Sequence, residues 1–121
     1  MSILVGFYEK LSLQAINDSI EATIQLNPKH KIFEGHFPNN PIAPGVCMIQ
    51  IFKELLQDAY NRAFFMQKGD NIKFMAKINP NIVNELMFSI KTTKKELNVL
   101  SVSATIHAQE TVYLKFKGEF R

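Results

Sequence analysis

The chain has 121 residues, 46% of them hydrophobic and 21% charged, with ten Phe against five Gly and five Pro. This predicts one soluble globular domain over residues 1–121 and excludes collagen-like, low-complexity and disordered classes. Fourteen Lys and Arg against eleven Asp and Glu leave a formal charge of +3, too mild and dispersed for a nucleic-acid footprint but compatible with an acidic protein partner.

Met1 to Phe7 lacks the basic flank of a secretory signal, and no apolar run approaches the roughly 20 residues that span a bilayer. A cytoplasmic protein without a membrane partner is expected. Phe7 to Leu13 reads equally well as a short helix or an edge segment. Between residues 19 and 27, Ile20, Ala22, Ile24 and Leu26 alternate with Glu21, Thr23 and Gln25, the period-2 signal of a half-buried strand that Pro28 ends. From Pro44 to Ala63 the apolar residues Val46, Ile49, Phe52, Leu56, Ala59, Tyr60 and Ala63 recur at helical spacing, which predicts one long helix with Pro44-Gly45 at its start.

Alternation returns at Ile72, Phe74, Ala76 and Ile78, at Leu86, Phe88 and Ile90, at Leu100, Val102, Ala104 and Ile106, and at Val112, Leu114 and Phe116. The spacers Asn79-Pro80-Asn81, Lys94-Lys95-Glu96 and Ala108-Gln109-Glu110 are short enough for antiparallel neighbours. The architecture expected is α+β, with an antiparallel sheet of five or six strands wrapped round one central helix.

Three prolines and two glycines stiffen the segment Glu34-Gly35-His36-Phe37-Pro38-Asn39-Asn40-Pro41-Ile42-Ala43-Pro44-Gly45-Val46. A crossover of this kind can serve only to thread the chain into the helix. The order Gly35-His36-Phe37-Pro38, then Pro41, then Pro44-Gly45-Val46, resembles the signature of the FabA/FabZ-type 3-hydroxyacyl-acyl carrier protein dehydratases, which are hotdog-fold proteins. The motif runs from Phe33 to about Leu56, and the order of strands around it is similar over nearly the whole chain.

Eliminating water across Cα and Cβ of a thioester requires a base, a donor for the enolate-like oxygen and an acid for the leaving hydroxyl, and no cofactor. His36 alone in the rigid loop titrates near neutral pH and is the candidate base. Gly45 and Val46, at a helix N-terminus, offer unpaired N–H groups for the thioester carbonyl, with Phe37 and Pro38 completing the substrate-binding set. The resemblance places an acidic residue fourteen positions after the motif histidine, and Gln50 stands there. Glutamine hydrogen-bonds a hydroxyl but donates no full proton. Glu54, one turn and about 6 Å further along the helix, stands where the family commonly carries Gln. It either supplies the acid or positions a water, or is a polar residue at the edge of the apolar stripe.

Cys47, His30 and His107 carry less weight. A single cysteine permits no intrachain disulfide, a reducing compartment is expected, and no zinc-site spacing exists, so no metal is expected. Cys47 reads as core, His30 and His107 as surface residues, and Met48, Met66, Met75 and Met87 as core or tunnel lining.

The resemblance implies a dehydratase acting on 3-hydroxyacyl chains carried by the phosphopantetheine arm of acyl carrier protein, in fatty acid or related acyl-chain synthesis. It also implies a homo-oligomer built on dimers, because the histidine and the acid come from different subunits. The alternative is a catalytically impaired hotdog subunit that binds acyl carrier protein or forms a heterodimer with an active partner, a reading that Gln50 favours. An acyl thioesterase is the third, and the His36 loop argues against it.

Overall fold

A computed structural model describes residues 5–34 and 41–121. In chain order the elements are β1 (Tyr8–Ile16), β2 (Ser19–Leu26), α1 (Lys31–Glu34), α2 (Gly45–Tyr60), β3 (Met66–Phe74), β4 (Glu85–Glu96), β5 (Val99–Ala108) and β6 (Thr111–Phe120). The strands form one six-stranded sheet in the order β1-β2-β4-β5-β6-β3, with every neighbouring pair antiparallel. Strand alternation turns Ile20, Ala22, Ile24 and Leu26 of β2 inward, with Leu86, Phe88 and Ile90 of β4 beside them. This is the α+β hotdog arrangement that the periodicity and the resemblance predict.

α2 buries Cys47, Met48, Ile51, Phe52, Leu55 and Leu56, a stripe that repeats every three or four residues and so stays on one side of the helix. Phe52 joins helix to sheet: its ring lies 5.0 Å from that of Phe88 on β4 and stacks at 5.6 Å on Phe116 of β6. Burying a side chain of this size contributes about 2–3 kcal/mol.

The helix is shorter than predicted. It ends at Tyr60 because Asn61 takes a left-handed conformation, φ 52° and ψ 48°, and returns its N–H to the Gln57 carbonyl. Asparagine tolerates that conformation. Val46 belongs to the predicted apolar set yet is 77% exposed, since it lies on the flank away from the buried stripe. The strand predicted around Ile72–Ile78 runs instead from Met66 to Phe74. Its residues are all exposed, so burial imposes no alternation that a sequence pattern could reveal. Lys94, Lys95 and Glu96 extend β4 rather than forming a loop, and the chain turns at Leu97, φ 56°, and Asn98.

β1 is the strand that periodicity leaves undecided, and a bulge accounts for this. Its register with β2 pairs Tyr8 with Leu26 and Lys10 with Ile24, then shifts, so that Leu13 pairs with Ala22 and Ala15 with Ile20. Cross-strand partners share a face, so Tyr8 and Lys10 point with Leu26 and Ile24 toward the helix. Leu11 is the extra residue that breaks the alternation.

At the opposite edge, β3 is held on β6 by close backbone approach. A Cβ on Gly118 would lie 2.6 Å from the Lys68 carbonyl oxygen and 2.5 Å from Phe116 Cζ, so glycine is required there. The far side of β3 pairs with no strand among the described residues, and Phe65, Met66, Ile72, Phe74 and Met75 are exposed along it.

Candidate active site

Pro44 caps the start of α2 without a side-chain hydrogen bond, and its carbonyl accepts from the amides of Cys47 (3.0 Å) and Met48 (3.3 Å). The amides of Gly45 and Val46 precede the first intrahelical bond and have no partner among the described residues. They are the donors a helix N-terminus leaves open, at its positive end. Ala43 N–H donates to the Ile78 carbonyl at 2.8 Å, fixing the segment before the helix against the chain that leaves β3. Between them opens a cavity of about 500 Å³ lined mainly by apolar groups, including Gly45, Met48, Phe74, Met75, Ile78 and Leu114.

Phe74 stands directly over Gly45. A Cβ at Gly45 would meet the ring atoms Cε1 and Cζ at 2.5 Å, so only glycine admits the ring in this position. Close approach to the helix start is taken up in this structure by an aromatic side chain.

Val46 and Gln50 face a different hollow, bordered by Ile49, Lys53, Met66 and Ile72. One turn beyond Gln50, Glu54 is half-buried, and both its oxygens accept hydrogen bonds. Gln50 Nε2 donates to Oε2 at 3.0 Å, and the Tyr8 hydroxyl donates to Oε1 at 2.7 Å. A second tie parallels the first one turn on, where Lys10 pairs with Asp58 at 2.8 Å. The match is geometric: residues two apart on a strand and four apart on a helix both repeat at about 6–7 Å. Burial foremost, and then the Glu54 carboxylate, push the Tyr8 phenol well above its ordinary range, so it remains a donor at neutral pH.

Of the residues singled out in the sequence, Gln50 and Glu54 are brought into contact. Gly45 lines the main cavity, while Val46 lies on the Gln50 flank. His36, Phe37 and Pro38 lie outside the described residues. Sequence reasoning missed Tyr8 and Phe74. The signal for Tyr8 was available as Tyr8 and Lys10, two apart, facing Glu54 and Asp58, four apart; Phe74 had none beyond its place at the end of an exposed strand.

Cys47 is buried, and burial pushes its thiol up, as suits a packing residue. His30 is structural: its Nε2 lies 3.0 Å from the Val5 carbonyl, its Nδ1 accepts from Ile32 N–H, and its ring meets Phe7 edge-on at 5.4 Å. Met48 is core and, with the more exposed Met75, lines the Gly45 cavity, Met66 borders the Gln50 hollow, and Met87 is exposed on β4. Among the described residues no cluster of His, Cys, Asp and Glu could hold a metal, and no helix is long and apolar enough to cross a membrane.

The family model described as ApeI-like, ApeI dehydratase, matches residues 12–116. The chain belongs to the ApeI-like dehydratase family. Among curated proteins it is similar to the 3-hydroxyacyl-[acyl-carrier-protein] dehydratase FabZ of Helicobacter hepaticus, 25% identical over 107 residues, covering 78% of this chain and 62% of that enzyme's length. It is also similar to FabZ of Thermotoga neapolitana, 26% identical over 110 residues, covering 87% of this chain and 78% of the other. The fold matches a chain of the dehydratase heterocomplex ApeI:P from Xenorhabdus doucetiae with a TM-score of 0.74 at 19% identity, covering 93% and 96% of the two chains. A thioesterase superfamily protein from Shewanella loihica shares the fold more distantly, with a TM-score of 0.58 at 14% identity and coverage of 91% and 88%. This ApeI-like chain is therefore a dehydratase-family hotdog protein.

Proposed function

We propose that this chain is a cytoplasmic 3-hydroxyacyl-acyl carrier protein dehydratase that uses Glu54, held against Gln50, in place of the family's usual acid. The observation that carries this reading is the 3.0 Å hydrogen bond from Gln50 Nε2 to Glu54 Oε2, which links the position where the family has its acid to the nearest carboxyl group. His36 takes the Cα proton, and the electron pair of that C–H bond forms the new double bond. The amides of Gly45 and Val46 hold the thioester oxygen as charge develops on it. The Cβ–O bond breaks as Glu54, contributed across the subunit interface as the family resemblance implies, delivers a proton to the hydroxyl, which leaves as water. Solvent then carries the proton from His36 back to Glu54. The mainly apolar cavity at Gly45 suits an acyl chain.

The second reading, a subunit that assists an active partner, draws on Gln50 itself and on the assembly of the X. doucetiae relative as a heterocomplex. One pair of variants separates the two, assayed with 3-hydroxyacyl and enoyl carrier-protein substrates. If Glu54 is the acid, Glu54→Gln lowers the rate by about 10²- to 10⁴-fold, the range of general acid catalysis. If the chain is an impaired subunit, the wild-type rate is near zero and Gln50→Glu raises it. A fully active wild type indifferent to both changes defeats both readings.

A further inference from the structure

We propose that Tyr8 is a positioning residue for Glu54: its phenol, presented by β1, holds the carboxylate beside Gln50 on the flank of α2. This rests on the reading of Glu54 as the proton-transferring group and adds a residue that neither the motif nor the family resemblance supplies.

A glutamate side chain has three rotatable torsions, so the plane of its carboxylate is set by the partners that hold each oxygen. Here the two oxygens are held from different elements, Oε2 by Gln50 of α2 at 3.0 Å and Oε1 by Tyr8 of β1 at 2.7 Å. Held in this way, the carboxyl group keeps a fixed plane. The bulge at Leu11 sets the phase of β1 so that Tyr8 faces the helix at the level of Glu54. Anchoring of strand to helix does not depend on this bond, because Lys10 and Asp58 supply a tie at the next turn. Tyr8 stays protonated, through burial and through Glu54 itself, and therefore acts only as donor.

Charged and titratable groups around Glu54 among the described residues include Tyr8 and Lys10 from β1 and Asp58 from α2. β2, β4 and β6, which also pack against α2, turn Ile24, Leu26, Phe88 and Phe116 inward.

The test compares the full-length wild type with Tyr8→Phe, Lys10→Met and Glu54→Gln. The Tyr8 ring is followed by carbon-13 NMR, and its signal is assigned by its loss in Tyr8→Phe. In Glu54→Gln the ionisation midpoint of the Tyr8 ring moves down, because the carboxylate that helps to hold it up is gone. In Tyr8→Phe dehydration kcat falls on the order of tenfold with KM within twofold. Lys10→Met leaves kcat within twofold, which separates orientation of the carboxylate from anchoring of the strand.

An unmoved Tyr8 midpoint in Glu54→Gln overturns the proposal, and that measurement needs no turnover. Should Glu54→Gln fail to fold, the kinetic arm decides: an unchanged kcat in Tyr8→Phe overturns the proposal. A Glu54→Gln variant with full dehydration activity, alongside a lowered Tyr8 midpoint, refutes the acid role of Glu54 while supporting the hold exerted by Tyr8. A Glu54→Gln variant without activity, alongside an unmoved Tyr8 midpoint, refutes the role of Tyr8 alone.

Discussion

Gly45→Ala places a methyl group 2.5 Å from Cε1 and Cζ of the Phe74 ring, roughly 1 Å inside carbon–carbon contact distance. Phe74 ends the edge strand β3 and is 63% exposed, so the ring can swing outward about its own torsions while the backbone stays in place. Alanine is favoured over glycine by about 0.5 kcal/mol in the first helical turn, and lost contact between ring and helix offsets a similar amount. The unfolding entropy of a chain of 121 residues is about 0.25 kcal/mol/K, so the melting temperature changes by no more than about 2 °C. Function responds differently. With the ring displaced and the methyl at the mouth of the cavity, the thioester sits about 1 Å from its position at the helix amides, and such a misplacement lowers kcat/KM by up to about 10²-fold. Calorimetry together with hydration of an enoyl carrier-protein substrate reads both effects. Wild-type activity in Gly45→Ala would refute the assignment of this cavity to the substrate, and a lost fold would make Gly45 a packing residue.

The exposed apolar edge at β3 leads us to expect a dimer or a multiple of one at micromolar concentration, and a monomer in sedimentation equilibrium would contradict it. His36→Ala is expected to abolish dehydration while leaving the circular dichroism spectrum and melting temperature unchanged, whereas an active variant would remove His36 from the mechanism. In alkali, the raised phenol of Tyr8 means that above pH about 10 the unfolded chain gives up a proton the folded chain keeps. The stability this group contributes is therefore fully present below that pH and is lost as the pH rises beyond it. Tyr8→Phe should show a shallower loss of stability in that range by denaturant titration, and parallel curves would refute the link.

The parts of the fold legible in the sequence are those whose two faces differ. β2, β4, β5 and β6 each turn one face to the core, so Ile20 to Leu26 or Leu100 to Ile106 carry the period of the strand. β3 was misplaced because both its faces are exposed, and β1 was undecided because its bulge shifts phase at Leu11 and its inward residues include Tyr8 and Lys10. These two side chains are polar because they serve polar residues of the helix, a tertiary relation that local periodicity does not record. Within the site, the exchange of Gln50 and Glu54 is legible only through the family resemblance, whereas their joint contact with Tyr8 depends on how a distant strand is phased. Phe74 over Gly45 depends on where an exposed strand stops.

The edge strand β3 pairs with β6 through two shifts of register, between Met66 and Lys68 and between Gly69 and Asn71, and its other side has no strand partner among the described residues. A row of backbone N–H and C=O groups gives affinity for a strand partner whatever its side chains, and the choice between partners falls to side-chain pockets. After gene duplication, a diverging copy that kept those shifts would still meet this edge as well as an identical one. Selection could then divide labour between the two products, relaxing the acid position in one while the other retained it. A backbone edge that does not discriminate between copies is one physical route from a symmetric enzyme to an unequal pair.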